Sequence, residues 1–414
     1  MFSRSFLALL ALGAALPATL APVSAQSAAE LTGPKAAPAP APAPAPAAAP
    51  VIGADWSRKD AGELLRYVEG IGSEGLDPAD YNMAALREAI DSEDDGLSRL
   101  ATSTFLKVAS DLKFGHVRDS GRVDWHVKDD SWNVYDQQAL LDRAVKGDVA
   151  EAFESLHPTH PQYAALKALL ADKSLDSRTR DRVRINLDRW RWLPQNLGSK
   201  YVIVNVPAYT VALVENGQTI NRRRAVAGAI KTPTPSLSAV ITGAIFNPWW
   251  EVPQSITPEV RGKKGYVAVK DDSGKVIRWR QPPGPSNALG RMKLVMGNPY
   301  AIYLHDTNAK NLFNRQARAF SHGCIRTEDA VGFAQTLLEG TDWNRGKIDQ
   351  ILASGKATQA NLAAPVPVYI VYFTVAATSD GPPNSYADMY SRDGKALAAL
   401  TDRKSGTALA SSGN

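Results

Sequence analysis

Apolar positions along this chain change their spacing near Lys200, and the two spacings predict two architectures. Before that point they recur every three to four residues. Leu64, Leu65, Val68 and Ile71 form one stripe, Leu97, Leu100, Thr104, Val108 and Leu112 a second, and Tyr163, Leu166, Leu169 and Leu170 a third. Such spacing lines one face of an α-helix. A last helix carries Val183, Leu187 and Trp190 and has to end at Pro194, which lacks the N–H a further turn would need. After Lys200 the runs become β-branched and aromatic. Residues 201–206 and 209–214 read as strands, and Asn216-Gly217 after the second suits the left-handed backbone of a two-residue hairpin, so a third strand follows over 219–226. Further strands are expected at 239–246, 301–305 and 366–374. A helix is expected after Cys324, opened by Thr327, Glu328 and Asp329 and carrying Val331, Phe333, Leu337 and Leu338. The fold class is therefore α+β, a helical domain over 55–196 followed by a mainly β domain over 197–404.

Three stretches fit neither period. Residues 249–291 hold Pro253, Pro258, Pro282, Pro283 and Pro285 among basic residues and read as a long loop of the kind that serves as a lid, or as a plain surface excursion. Residues 34–50 are an Ala-Pro repeat inside a linker over 26–54. Such a sequence buries nothing and extends as polyproline II, reaching roughly 50 Å at ~3.1 Å per residue. Residues 1–25 have a short basic start, an apolar stretch broken by Pro17 and Pro22, and Val23-Ser24-Ala25 as a cleavage site, which predicts an export signal and a mature chain from Gln26. The alternative, an uncleaved anchor, needs a longer unbroken apolar run. No other stretch could span a bilayer, so no stable membrane insertion is expected after cleavage; residues 405–414 read as a flexible tail.

Composition adds little to this picture. At 44% apolar residues the chain has the makeup of an ordinary globular protein with length for about two cores. Its net charge of +5 is compatible with an anionic wall polymer, and an exported chain without a long basic run argues against nucleic acid.

The cysteine count changes more. Cys324 is the only cysteine among 414 residues. In an oxidising compartment it has no intramolecular partner, which leaves an incidental buried thiol, an intermolecular crosslink or a nucleophile. A nucleophilic thiol needs a neighbouring base. His322 lies two residues upstream and His305 closes the expected strand at 301–305. His305 is the better base, because the sheet holds its backbone while the ring stays free; His322 then orients the turn. Gly323 permits a strained backbone whose N–H, with that of Cys324, would point at an oxyanion, and Arg326 could grip a carboxylate bidentately. A zinc site built from His305, His322 and Cys324 is the rival, although the spacing matches no common zinc motif. His116, His126, His157 and His160 have no comparable surroundings.

Tyr303-Leu304-His305-Asp306-Thr307, then Leu312-Phe313, then Ser321-His322-Gly323-Cys324-Ile325-Arg326, closely resemble the signature of the YkuD-type L,D-transpeptidases. Arg189 to Pro194, Asn247 to Pro253, Pro282 to Gly290 and Pro367 to Tyr369 are similar to the YcbB-type subgroup, so the resemblance runs from about 55 to 393. It implies a helical scaffold domain, a β-rich catalytic domain and a capping subdomain at about 249–291. It implies Cys324 as nucleophile, His305 as general base, the Asp306 backbone as orienter, the Gly323 amide for the oxyanion with His322 in support, and Tyr303, Trp249, Ser321 and Arg326 as substrate contacts. No cofactor or metal is implied. The substrate would be peptidoglycan stem peptides in the periplasm, with a tetrapeptide donor attacked at its third residue, D-Ala released, and the acyl group passed to an amine of a neighbouring stem as a 3-3 or 1-3 crosslink. Other wall-synthesis proteins are conceivable partners. The short stretch between Leu170 and Arg184 leaves no room for the peptidoglycan-binding module that the subgroup inserts there. Hydrolysis at the same site and a non-enzymatic wall scaffold are the competing readings.

Overall fold

A computed structural model describes residues 52–402 apart from 93–95, 119, 130 and 378–382. The expected signal segment, nearly all of the linker and the tail lie outside the described residues.

The helical stripes fold as read. The N-terminal half consists of α1 (Arg58–Glu69), α2 (Met83–Asp91), α3 (Leu97–Phe114), α4 (Val134–Arg143), α5 (Val149–Glu154), α6 (Pro161–Leu170) and α7 (Ser177–Arg191). Ser57 starts α1 by accepting a hydrogen bond from Asp60 N at 3.1 Å, satisfying one of the first-turn donors. Leu64 and Val68 of α1 and Val108 and Leu112 of α3 are fully buried in one core with Phe105 and Phe153. Burying each such side chain contributes about 1.5–3 kcal/mol. Leu65 and Leu100, at the edges of their stripes, are only partly covered. The described residues between α3 and α4 leave the helical pattern, and part of that stretch pairs with the second half: His126 N donates to Ser236 O at 2.7 Å and Ser236 N to Asp124 O at 2.9 Å.

The second half is built on β1 (Lys200–Asn205), β2 (Thr210–Glu215), β3 (Gln218–Gly228), β4 (Leu237–Phe246), β5 (Trp250–Glu251), α8 (Thr257–Val260), β6 (Val267–Lys270), β7 (Val276–Gln281), β8 (Met292–Met296), β9 (Leu304–His305), β10 (Ala319–Ser321), β11 (Ile325–Thr327), α9 (Ala330–Leu337), α10 (Arg345–Ser354), β12 (Thr358–Val371), β13 (Val375–Ala376), β14 (Asn384–Ser385) and α11 (Asp393–Thr401). The main sheet runs β10-β3-β11-β9-β8-β4-β12-β1-β2, and because β2 also pairs with β3 it closes on itself. Closure leaves no open edge on the eight strands from β3 round to β2, while β10 pairs only with β3 and stays at the rim. The hairpin at Asn216-Gly217 forms as expected, both residues with positive φ (50° and 77°). Phe333 and Leu337 of α9 and Ile348 and Leu352 of α10 seal the core.

Four sequence expectations are displaced, the first being the strand expected at 301–305, of which only Leu304–His305 joins the sheet. The strand expected at 366–374 is the end of a longer one, β12; its register shifts between Asn361 and Val366, which is how a strand accommodates Pro365. The helix after Cys324 starts later, since Thr327 still belongs to β11 and Asp329 is the N-cap, accepting from Gly332 N at 3.2 Å. Residues 249–291 are not a loop. They form a three-stranded antiparallel sheet, β5-β7-β6, with α8 and a small core of Trp250, Val252, Ile256, Val260 and Leu289. Its strands were hidden because Arg278 and Arg280 interrupt an already short apolar pattern.

The two halves share α7. Ile185 and Trp192 join the helical core, whereas Val183, Leu187 and Trp190 join a third core with Tyr201, Val214 and Phe373 of the β half. Its buried charges are all engaged: Asp188 accepts from His116 N at 2.7 Å and Trp192 Nε1 at 2.9 Å, and Arg189 pairs with Asp393 at 2.6 Å. α11 in turn carries Ala396 and Leu400 into the helical core, a packing that a catalytic segment running to 404 does not anticipate. Among the described residues no helix is long and apolar enough to cross a membrane.

Candidate active site

The site is built on two adjacent parallel strands. β9 and β11 pair Leu304 with Ile325 and His305 with Arg326, and Ile325 N donates to Tyr303 O at 3.1 Å. Side chains alternate along a strand, so Leu304 and Ile325 enter the core while Tyr303, His305, Cys324 and Arg326 share the opposite face. There they line a cavity of about 240 Å³ together with Trp250, Pro253, Ile256 and Leu289 from the 249–291 sheet. β8 adds Lys293, paired in register with His305 and lying 5.2 Å from the Tyr303 ring. His305 thus sits between two cationic strand neighbours, Lys293 and Arg326. Nothing in sequence spacing marks Lys293; only the pairing of β8 with β9 brings it here.

Burial and these charges set the protonation states. Burial pushes His305 down to about 3, and Arg326 and then Lys293 reinforce it, against the opposing pull of the Asp306 and Leu289 backbone. Burial raises the Cys324 thiol, although hydrogen bonding to Tyr303 and the charges of Arg326 and Lys293 pull it part of the way back. The Tyr303 phenol is raised by burial and by Cys324. The resting pair is therefore a thiol beside a neutral imidazole, not the thiolate–imidazolium pair that a nucleophilic cysteine usually suggests. His305 Nδ1 is buried with no hydrogen-bond partner among the described residues, and Cys324 Sγ lies 3.6 Å from Ala301 O. Ala301 has φ 53°, in a turn folded around Asn298, whose side chain donates to Ile302 O at 2.7 Å and accepts from Ile302 N at 3.2 Å.

The turn before Cys324 is pinned from several sides. Ser321 Oγ donates to Cys324 O at 2.5 Å, Thr232 Oγ1 donates to Ser321 O at 3.0 Å, and Thr234 Oγ1 donates to Gly323 O at 2.7 Å while accepting from Gly228 N at 2.9 Å. Tyr390 OH donates to Gly228 O at 2.6 Å and accepts from Thr234 N at 3.2 Å. Gly323 has φ 113°, which an L side chain rarely adopts. Thr234 and Tyr390 lie far from the cysteine in sequence and were not foreseen.

Ser321, His322, Tyr303, His305, Cys324 and Arg326 meet in the one cavity; Trp249, Asp306 and Gly323 are not in its lining. Trp249 is covered by the Arg280 guanidinium 3.7 Å from its ring centroid, and its neighbour Trp250 lines the cavity instead, because adjacent residues at a strand start face opposite ways. The Gly323 N–H donates to Ser321 Oγ at 3.1 Å and so is already engaged inside the turn. His322 reaches outward, its Nε2 3.1 Å from Glu259 Oε1 on α8, so the turn is braced by Ser321, Thr232 and Thr234 rather than by His322. The Asp306 carboxylate binds Lys310 and accepts from Arg291 N at 2.8 Å, fastening the end of the 249–291 stretch to β9. It lies so close to Gly290 (φ 62°) that a Cβ there would fall 2.4 Å from Oδ2. Among the described residues no three metal-ligating side chains gather.

Residues 54–170 match the family of the Scaffold domain. A curated relative from Haemophilus influenzae, named "Putative L,D-transpeptidase", is 30% identical over 227 residues, which is 49% of this chain and 46% of that protein, so the match spans under half of the relative's length. Among solved structures, an L,D-transpeptidase from Mycobacterium smegmatis is similar at 12% identity over 42% of this chain and 58% of its own (TM-score 0.23). Another from Mycobacterium tuberculosis H37Rv is similar at 13% identity over 42% and 57% (TM-score 0.21). Likenesses that loose place no residue. Residues 199–368, which contain both β9 and β11 and the turn between them, match the family model YkuD, the L,D-transpeptidase catalytic domain.

Proposed function

We propose that this chain is a peptidoglycan L,D-transpeptidase of the YcbB type lacking the inserted peptidoglycan-binding module, exported to the periplasm by its first 25 residues. Its domains are read as a linker to 54, a scaffold domain to 196 and a catalytic domain to 404, with 249–291 as the cap over the site. The observation that carries the reading is the shared face of β9 and β11, where the Cys324 thiol, the neutral His305 imidazole and the Arg326 guanidinium line a small cavity, with Lys293 paired in register beside His305.

The chemistry follows from those protonation states. Cys324 enters as a thiol and His305, neutral, accepts its proton as sulfur attacks the carbonyl of the donor stem's third residue. The oxyanion forms beside the Cys324 amide; the Gly323 amide joins only if Ser321 Oγ releases it. The carbon–nitrogen bond to D-Ala breaks, and the proton held by His305 goes to the departing amine, leaving a thioester. An amine of a second stem attacks that thioester, an amide forms, and sulfur regains a proton. Arg326 and Lys293 attract the donor's carboxylates, Tyr303 donates to sulfur, and the Asp306 backbone orients His305. No cofactor enters any step.

Intact-mass measurement with a carbapenem tests the nucleophile: one adduct on the native protein and none on Cys324→Ala is expected, and an unmodified native protein would sink the proposal. Incubation with a purified tetrapeptide stem separates transfer, read as dimers lacking one D-Ala, from hydrolysis, read as shortened monomers.

A further inference from the structure

The outer face of β1 and β2 is covered by the helical half along only part of its length. The cross-strand pair Tyr201 and Val214 is buried in one core with Trp190 of α7. The next two pairs, Ile203 with Ala212 and Asn205 with Thr210, put short side chains on β2, and a cavity of about 450 Å³ is left between them, α6 and the β13–β14 hairpin. That volume lies within the ~300–1,000 Å³ usual for a ligand pocket. The cavity shares no lining residue with the one at Cys324.

Three hydrogen-bond donors face this space from three walls. On the first, His160, Trp190 and Phe373 form a column of stacked rings with centroids 4.3 and 4.4 Å apart. His160 caps α6, its Nδ1 accepting from Gln162 N at 3.1 Å, and burial holds the ring neutral by lowering its pKa to about 4, so the proton sits on Nε2. Nε2 has no hydrogen-bond partner among the described residues. On the second wall, Arg222 of β3 is in register with Ala212. Its neighbours Arg223 and Arg224 pair with Asp329 and Glu328, whereas Arg222 is exposed and makes no ion pair among the described residues. Its charge acts on the phenol of Tyr386, the third donor, next to β14. Arg182 fixes that segment by donating to Thr374 O at 2.8 Å and to Tyr386 O at 2.5 Å. None of the described lining residues is acidic.

We propose that this cleft between the two halves binds a sugar of the wall glycan that carries an acetamido group and a free carboxylate, with the carboxylate on Arg222; the choice of wall glycan rests on the transpeptidase reading above. The guanidinium offers a carboxylate two parallel N–H donors, and the acetamido oxygen accepts from Tyr386 OH or His160 Nε2. A stem peptide fits the same walls poorly, because its amine meets no acid there. Glycan held here keeps the chain on the polymer while the Cys324 cavity stays free for stems, in place of the binding module that the chain lacks on that reading.

The test is calorimetric titration of the full chain with a stem-free oligosaccharide of alternating N-acetylglucosamine and N-acetylmuramic acid, beside uncharged chitotetraose and a tetrapeptide stem. The oligosaccharide with carboxylates should bind about tenfold more tightly than chitotetraose, and the stem should not displace it. Arg222→Glu should weaken that binding about tenfold, with an unchanged Tm showing that the fold is kept. Lys356→Glu makes the same change of charge at an exposed position outside the cleft and should leave binding within about twofold. No binding by the parent, equal affinity for chitotetraose, displacement by the stem, or unchanged binding in Arg222→Glu would each overturn the site. An equal loss in Lys356→Glu would do so too, since it would mean a general attraction of an anionic polymer. Absence of carbapenem acylation in the parent would instead strike at the transpeptidase reading, and the titrations would still decide whether the cleft takes the sugar.

Discussion

Replacing Thr234 by valine keeps the shape of the side chain and removes a single oxygen. That oxygen is fully buried and makes two contacts, donating to Gly323 O at 2.7 Å and accepting from Gly228 N at 2.9 Å. No water can substitute for it, because the backbone at Gly228 is so close-packed that a Cβ would meet Thr232 O at 2.2 Å. Two buried backbone groups lose their partners, at about 1–3 kcal/mol each, so the variant should lose about 2–6 kcal/mol of stability. Over roughly 350 cooperative residues at ~2.1 cal/mol/K each, Tm should fall by about 3–8 °C. Since one orphaned group is the carbonyl next to Cys324, carbapenem acylation at 25 °C, where the variant stays folded, should also slow several-fold. Thr234→Ser restores the oxygen and should recover most of both losses. A Tm within 1 °C of the parent, or a serine variant as impaired as the valine one, would refute the claim that this hydroxyl holds the turn.

Three further outcomes follow from the same geometry. With His305 held at about 3 and the Cys324 thiol raised, iodoacetamide alkylation should climb steadily above neutral pH; a plateau between pH 5 and 7 would mean a preformed thiolate–imidazolium pair. Tyr303→Phe removes a donor to sulfur, so the thiol should titrate higher still and alkylate more slowly at pH 8; faster alkylation would reverse that role. Burial holds His157 and His160 at about 4 and His305 at about 3, so between pH 6.5 and about 4 these rings are charged only when unfolded. Unfolding then takes up as many as three protons, and stability drops as pH falls through that window. His116 does not offset this: burial opposes its charge but the Asp111 carboxylate at 2.8 Å raises it, so below pH 6.5 it is charged in both states. A Tm that stays level or rises from pH 6.5 to 4.5 would contradict the assignment.

The helical stripes of α1, α3 and α6, the Asn216-Gly217 hairpin and the α+β division were legible because each depends on spacing and on local backbone preference, which neighbouring residues impose directly. The same holds for Cys324 and His305 as candidates, one singled out by count and the other by its place at a strand end. What spacing could not give was whichever contact depends on elements distant in sequence. The strands in 249–291 escaped notice because their burial is supplied by the small core around Trp250. Lys293 reaches His305 only through the β8–β9 register, and a shift of one residue would turn it to the other face. Thr234, Tyr390 and Arg392 reach the cysteine turn only because β3, β4 and the C-terminal segment close around it. The sequence by itself determined which residues could do thiol chemistry. Tertiary structure decided their protonation, since burial leaves His305 neutral and Cys324 a thiol, and it decided that Trp250 rather than Trp249, and Ser321 rather than His322, shape the place where that chemistry would occur.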